Sequence, residues 1–471
     1  MRTIAASIAQ YAPGEDEEAL HLTDLGNAER LVRRYGTDIR YCAQLSGWLC
    51  WDGKRWARDM TGEVQRMAQQ VARGLYAEAA ACADKRRRRA IAGFARACES
   101  AARQRAMLDL AWSQPGIAVL PEVFDAQPWL FNCANGTLDL RTGELRPHAR
   151  EDMLTVLCPT PYDPEASYPL WFEFQEQITN GDMELLCHKQ RAYGYALTGV
   201  TIEQCLFILY GTGANGKSTE LGVIREVLGD DYALHTPTET LLVRDRAGGI
   251  PNDVARLRGA RYVTAVEAEG GRRLAESLIK QMTGGDPIAA RFMRAEWFEF
   301  MPTHKLFLAV NHKPIIRGTD KGIWRRIRLW PYTTTIPDDK QDKDLANNLQ
   351  AEAPGILAWL VEGCLEWRRL GLGMPQSVQR ATGAYQAEMD VLGGFIEDEC
   401  VEATTATVSA KDLYSAYTDW CERNGERAMT KQAFGLRLQE RGFSAFTIGH
   451  NNVRAWKGVG LVEQDSAGRS S

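Results

Sequence analysis

Residues 211–219 read Gly-Thr-Gly-Ala-Asn-Gly-Lys-Ser-Thr, and the six before them, Cys205, Leu206, Phe207, Ile208, Leu209 and Tyr210, form a compact apolar run. A short apolar run bounded by turn residues reads as a buried strand, so the string is a glycine-rich loop that leaves a strand and opens a helix. Such a loop aims consecutive backbone N–H groups, and the positive end of the helix dipole, at one point. Polyphosphate is the occupant that suits it. Gly211, Gly213 and Gly216 let the backbone curl toward phosphate oxygens, and Thr212, Ala214, Asn215 and Thr219 complete the cradle. Lys217 can reach the β and γ oxygens, and the Ser218 hydroxyl can fill a place in the shell of a magnesium ion. ATP and Mg2+ are the expected cofactors.

A chain of 471 residues exceeds what one core usually organises, so two to four domains are expected. Its composition, 45% hydrophobic and 25% charged, is ordinary for a soluble protein, and no apolar stretch approaches the roughly 18 residues of a membrane helix. One early arginine followed by the acidic cluster Glu15, Asp16, Glu17, Glu18 is the wrong order for a signal peptide. A cytoplasmic location without a membrane partner is the expectation. The eleven cysteines are odd in number and scattered from Cys42 to Cys421, which reads as reduced core thiols. Cys187 and His188, adjacent on an expected helix, point in different directions and do not make a zinc site. Net charge is −5, yet residues 253–328 hold 15 Lys/Arg against 8 Asp/Glu. A basic segment in an acidic protein suggests a focused groove for phosphates, with a solvated face as the competing reading.

Residues 24–56 read as a helix, a strand and a hairpin in which Trp48, Trp51 and Trp56 flank Asp52-Gly53. An alanine-rich helical stretch over 62–113 carries the run Lys85, Arg86, Arg87, Arg88, Arg89, read as an exposed helix face with DNA contact as the alternative. Short strands return over 129–159, turning at Asn135-Gly136 and Thr142-Gly143, before proline-rich 158–164 marks a boundary. Helical 169–199 leads into the strand before the loop, and strands and helices then alternate to about residue 337, as in an open α/β nucleotide-binding fold. Over 343–372 Trp359, Trp367 and leucines recur at helical spacing and read as core. The last part reads as helices over 409–424 and 430–441, then a hairpin around 449–452, the order of a winged helix-turn-helix, with a small α+β cap as the alternative.

The expected fold class is therefore α/β: a P-loop NTPase core with an α+β N-terminal region and a C-terminal winged-helix-like domain. The divisions are a flexible 1–23, an N-terminal domain 24–164, a helical segment 165–199, the ATPase core 200–337, its helical continuation 338–390, the winged-helix-like domain 391–464 and a disordered tail 465–471.

A phosphate loop needs an acidic partner strand, and the apolar stretch 261–266 ends in Glu267 and Glu269. By position Glu267 holds the magnesium ion and Glu269 orients or deprotonates the attacking water, and the two can exchange roles. A second apolar run, 305–310, ends in Asn311, whose amide can bond both the γ-phosphate and that water. Arg325, Arg326 and Arg328 then gather guanidinium groups, one of which can reach a neighbouring subunit's γ-phosphate. Trp297 and Phe298 beside arginines suit a channel for a single strand, where stacking and charge combine.

Taken in order, the loop 211–219, Glu267-Ala-Glu269, the segments 284–292 and 308–311, and 318–326 resemble the superfamily 3 helicases of phage and plasmid primases, with poxvirus relatives of similar look. The resemblance implies an AAA+ module in a hexameric ring, a helical collar over 165–199, and the acidic, sensor and arginine-finger roles on Glu267 with Glu269, on Asn311, and on Arg325 or Arg326. It also implies a DNA-tracking hairpin over 290–301, with Lys280, Arg291 and Arg294 as phosphate contacts. Glu220 departs from the family, which carries an apolar residue after the loop, and no aspartate-rich polymerase constellation precedes residue 160.

The expected activity is an ATP-dependent DNA helicase or translocase of a phage, prophage or other mobile element, a homo-oligomer acting on single-stranded and forked DNA, with a separate primase as a partner. An initiation factor that assembles on DNA without processive unwinding, and a P-loop phosphotransferase acting on a small molecule, are the alternatives.

Overall fold

The computed structural model describes residues 20–45, 47–243, 252–266, 272–292, 296–317, 321–448 and 453–462. The expected flexible start, the hairpin tip at 449–452 and the expected disordered tail lie outside these residues.

The N-terminal region opens on α1 (Asp24–Tyr35), started by the Thr23 hydroxyl accepting from the Gly26 N–H at 3.0 Å and closed by Arg33 and Arg34 in its last turn. A meander of β1 (Ile39–Cys42), β2 (Gly47–Trp51) and β3 (Trp56–Arg58) follows, with the expected tryptophan hairpin as its β2–β3 pair. The alanine-rich stretch is three helices: α2 (Glu63–Ala81), α3 (Lys85–Cys98) and α4 (Ala101–Ala111). Its breaks fall at the N-caps Asp84 and Ser100, whose side chains accept from Arg87 N and Arg103 N. A second meander, β4 (Leu130–Cys133), β5 (Gly136–Asp139) and β6 (Glu144–Arg146), turns at the two expected glycine dipeptides.

Helices α5 (Pro169–Ile178) and α6 (Met183–Ala196) lead into the central sheet. Its strands are β7 (Leu206–Tyr210), β8 (Ala233–His235), β9 (Tyr262–Val266), β12 (Lys305–Val310) and β13 (Ile327–Pro331), and α7 (Lys217–Leu228) follows β7. Between β9 and β12 come α9 (Glu276–Thr283) and the antiparallel pair β10 (Ile288–Ala290) and β11 (Phe298–Phe300), while the four-residue helices α8 (Asn252–Ala255) and α10 (Lys321–Trp324) precede β9 and β13. The sheet is wholly parallel, in the order β13-β7-β12-β9-β8. Alternation along the strands serves both faces, as a sheet covered on two sides requires. Phe207, Leu209, Tyr262, Phe307 and Trp330 join one core with α5, α6 and α7, whereas Leu206, Ile208, Val263, Leu306 and Leu308 join another with Ile279, Met282 and Ile288. Packing crosses the expected boundary at 164: Phe131, Leu138 and Cys158 share the first of these cores with Trp171 and Phe207.

Helices α11 (Leu345–Ala351), α12 (Ala353–Leu370), α13 (Gln376–Glu388) and α14 (Val391–Glu399) come next. Trp359 and Trp367 are buried on α12, as the helical spacing indicates. The chain ends in β14 (Cys400–Ser409), α15 (Ala410–Arg423), α16 (Lys431–Glu440), β15 (Ser444–Ile448) and β16 (Val453–Leu461), the strands ordered β14-β16-β15 over their own core. Among the described residues no helix is long and apolar enough to cross a membrane.

Candidate functional site

The phosphate loop leaves the carboxyl end of β7, which lies between β12 and β13, where open parallel sheets take their ligands. Gly213 (φ 109°), Ala214 (φ 47°) and Gly216 (φ 80°) are left-handed, which curls the chain around the space above the sheet. Alanine at such a position is uncommon. The loop is seated tightly. A Cβ on Gly211 would come within 2.3 Å of the Asn215 amide and 2.5 Å of the Tyr332 carbonyl oxygen, and one on Gly216 within 2.6 Å of Ile178 Cγ2 on α5. The Ile336 N–H donates to the Ala214 carbonyl at 2.7 Å and closes the outer side.

Lys217, the first residue of α7, donates to the Gly211 carbonyl (2.6 Å), Asn215 Oδ1 (2.9 Å) and Asn311 Oδ1 (3.3 Å). Burial lowers its pKa from 10.5 to about 8. Residues 213–219, Val266, Ala309 and Asn311 enclose a cavity of about 260 Å³. Ser218 is exposed at the start of α7. The structure therefore brings together the nucleotide-loop residues and Asn311, because β7 and β12 are neighbours in register from Leu206 with Leu306 to Tyr210 with Val310. Val266 ends β9 at the cavity; Glu267 and Glu269 lie outside the described residues, as does Arg294.

Other expected site residues lie away from the cavity. The Leu206 N–H donates to the Arg326 carbonyl at 2.8 Å, so Arg325 and Arg326 stand level with the start of β7, about five strand residues or roughly 16 Å before Gly211. Arg325 is exposed and donates to Gln204 Oε1 at 2.8 Å. Arg326 is buried and donates to Thr283 Oγ1 (3.2 Å), the Gly322 carbonyl (2.6 Å) and Gln204 Oε1 (3.3 Å). The expected hairpin has strands 288–290 and 298–300, a shorter pairing than the alternation over 290–301 suggests. Arg291 stacks over Trp297 at 4.9 Å, Phe292 stacks on Phe298 at 5.5 Å, and Trp297 is 53% exposed. Lys280 is half-buried on α9.

Sequence reasoning missed the groups that hold the loop from beneath. Phe174 and Ile178 of α5 abut Gly216, and Tyr332 N–H donates to the Tyr210 carbonyl at 2.7 Å. Glu220 is wholly buried beside Lys189 of α6. Its position as a carboxylate one residue past the loop was the available signal; nothing in the sequence marks Lys189 as its partner.

Two family models match the chain, one described as D5 N terminal like over residues 28–180 and one described as Poxvirus D5 protein-like over residues 387–454. The chain is 26% identical over 326 residues to a protein of Acanthamoeba polyphaga mimivirus provisionally named a helicase, covering 64% of this chain and 34% of that one. A protein of Frog virus 3, also provisionally named a helicase, is 30% identical over 278 residues, covering 54% and 28%. One from African swine fever virus, provisionally named a primase, is 25% identical over 339 residues, covering 64% and 34%. The match thus spans about a third of the length of these relatives. A solved apo structure of the NrS-1 C-terminal region aligns with a TM-score of 0.45 at 9% identity, over 74% of this chain and 86% of that one, a likeness too loose to carry an argument. The matches at both ends, and relatives in large DNA viruses that carry helicase or primase names, support a place for the chain in a D5-type primase-helicase family.

Proposed function

We propose that this chain hydrolyses ATP and uses the cleavage to move along DNA, as a helicase or translocase of the superfamily 3 type in the replication of a phage, prophage or other mobile element. The observation that carries the reading is the cavity in which a strand–loop–helix cradle, Lys217 and the strand-ending Asn311 meet. These residues fit a magnesium nucleotide. Lys217 satisfies its ammonium on a loop carbonyl and two side-chain amides, bonds it can exchange for phosphate oxygens, and the exposed Ser218 hydroxyl stands at a helix start. Bound there, Mg2+·ATP supplies a phosphoanhydride whose charge is partly neutralised.

The loop N–H groups and Lys217 would hold the β and γ oxygens, Ser218 and Glu267 the ion, and Glu269 and Asn311 the water. Arg325 or Arg326 cannot serve its own loop from the far end of the sheet and would act on the next subunit of a ring, a hexamer in this reading, with the core as an AAA+ module. Arg291, Arg294, Lys280 and the exposed Trp297 would meet the strand in the ring's channel. The C-terminal unit of α15, α16 and the β15–β16 pair would be a winged helix, and a separate primase would supply primers.

The test is ATP hydrolysis with and without single-stranded DNA, beside strand displacement on a forked duplex. Stimulated hydrolysis with displacement is expected. Stimulation without displacement would favour an initiation factor, and phosphorylation of a small molecule indifferent to DNA would overturn the reading.

A further inference from the structure

The cationic run that opens α3 takes no part in the site above. Between Cys82 and Arg105 the chain carries eight Lys/Arg against two Asp/Glu, in a protein of net charge −5. All five side chains from Lys85 to Arg89 are exposed. They sit in the first turns of α3, where that helix's own dipole disfavours cations. The adjoining end of α2 accounts for one of them, since Arg88 Nε donates to the Cys82 carbonyl at 2.9 Å and caps that helix. The nearest carboxylate in sequence, Asp84, is occupied as the N-cap, accepting from the Arg87 N–H at 2.6 Å. Lys85, Arg86, Arg87 and Arg89 form no ion pair among the described residues.

Their mounting is rigid. Ile91, Ala95 and Cys98 of α3 pack on Ala72, Leu75 and Ala79 of α2, so the packed seam begins just past the run and the cations project beyond it. The exposed face of α3 offers alanines, a glycine and a half-buried Phe94 beneath Arg103, and lacks the apolar stripe with which a basic helix inserts into a lipid surface. Guanidinium forks are suited to the bidentate grip of phosphate oxygens.

We infer that this end of the α2–α3 hairpin is a docking surface for the phosphate backbone of DNA, separate from the Arg291–Trp297 loop. The inference rests on the reading that the chain works on DNA. It reads no sequence, holds the polynucleotide outside the translocating contact, and weakens steeply with salt.

The experiment is fluorescence anisotropy of the full chain with a fluorescein-labelled duplex across a range of salt concentrations. Each phosphate neutralised on a duplex contributes about 0.9 to the slope of log K against log salt. The variant Lys85→Ala/Arg86→Ala/Arg87→Ala/Arg89→Ala is expected to bind more weakly, with its slope shallower by about 3 to 4, and to keep the wild-type rate of DNA-independent ATP hydrolysis. Arg86→Lys/Arg87→Lys/Arg89→Lys, which keeps the charge, is expected to keep the slope. Equal affinity and slope in the alanine variant and the wild type overturn the inference while leaving the proposed function standing. A wild-type protein that ignores DNA at every salt concentration overturns both. Phosphatidylserine vesicles that retain the wild type but not the alanine variant, with DNA binding unchanged, would assign the surface to lipid and overturn the inference.

Discussion

The Nζ of Lys189 on α6 lies 2.8 Å from Oε1 of Glu220 on α7, and both side chains are sealed from solvent. The Tyr332 hydroxyl donates to the other Glu220 oxygen, and the ammonium stands over the Tyr332 ring at 4.9 Å. Burial lowers the Lys189 pKa and the Glu220 carboxylate opposes that shift. Taking two ions out of water costs several kcal/mol each, so such a pair contributes less net stability than its geometry suggests, while losing one partner strands the other. The pair ties α6, the loop helix and the residue beside Gly211 into one unit. Glu220→Leu or Lys189→Met is expected to destabilise the protein by about 3–5 kcal/mol, and Lys189→Met/Glu220→Leu by less than either alone. Urea unfolding of the three variants reads the cycle, and additive losses would show that the two charges do not depend on each other.

Gly194 of α6 and Gly363 of α12 let those helices cross at backbone distance. A Cβ at Gly194 would lie 2.1 Å from the Cys364 nitrogen, and one at Gly363 2.1 Å from the Gln190 carbonyl oxygen. Backbone cannot give way as a flexible side chain does, so Gly363→Ala is expected to cost about 1–3 kcal/mol or more by overpacking. Gly383, in the interior of α13, has nothing within 4 Å of such a Cβ. Gly383→Ala should therefore stabilise by about 0.5–1 kcal/mol through helix propensity alone. Thermal unfolding of the two variants should shift in opposite directions, and a tolerated Gly363→Ala would mean that the crossing can open.

What the sequence made legible is local. The run 205–210 and the glycine loop announce a strand, a turn and a helix start because periodicity and turn chemistry are read within ten residues. Asn311 was legible because it ends an apolar run of the same kind, and parallel neighbours bring their carboxyl ends to one edge. Lys189 and Glu220 are invisible as a pair, since nothing short of the packed helices relates positions 31 apart. Strand β14 was missed because it is mostly exposed and polar; its Val401, Thr404, Thr405, Thr407 and Val408 are β-branched, the one usable signal. The proline-rich 158–164 does punctuate the chain, yet Cys158 and Thr160 both hydrogen-bond the Val227 carbonyl of α7, at 3.1 and 2.7 Å. Prolines report a turn in the chain and carry no information about which core the turn packs on.

His188 is held neutral by burial, which pushes its pKa from 6.5 to about 4, with Nδ1 bonded to the Leu372 carbonyl at 3.1 Å. His304 is pushed to about 3 by burial. In the unfolded chain each ring regains an ordinary pKa, so below pH 6.5 the unfolded state binds protons that the folded state refuses. Stability is complete above pH 6.5 and falls as pH drops toward 4, by about 1.4 kcal/mol per pH unit for each histidine. His188→Gln should make the dependence of the unfolding free energy shallower by that amount between pH 6 and 4.5. A slope equal to that of the wild type would mean that the folded protein accepts the proton.

Lys217 presents a similar question with the opposite ligand. Burial holds its pKa at about 8 while the ammonium donates to the Gly211 carbonyl and to the Asn215 and Asn311 amide oxygens. Triphosphate oxygens favour the charged amine, so nucleotide binding above pH 8 should take up a proton, and affinity should fall by up to about tenfold per pH unit as pH rises past 8. Calorimetric titration with ATP at pH 8.5 in buffers of differing ionisation enthalpy measures the uptake. Affinity that stays level from pH 7 to 9.5 would contradict it.

Arg325 and Arg326 are adjacent in sequence and differ in what holds them. Arg326 is buried, with Thr283, Gly322 and Gln204 as partners, and Arg326→Ala should cost about 1–3 kcal/mol by leaving those acceptors unmet. Arg325 is exposed and its guanidinium donates to Gln204, and Arg325→Ala should leave stability within about 0.5 kcal/mol of wild type. If Arg325 is the finger, Arg325→Ala abolishes turnover in the assembled ring, where such a group is worth about 10³–10⁵ in rate. Mixing Arg325→Ala with Lys217→Ala subunits should then restore some hydrolysis, because one kind of junction pairs an intact loop with an intact arginine. An Arg325→Ala protein that folds normally and hydrolyses ATP at the wild-type rate would remove this residue from the seam and leave its neighbour to be tested by Arg326→Lys.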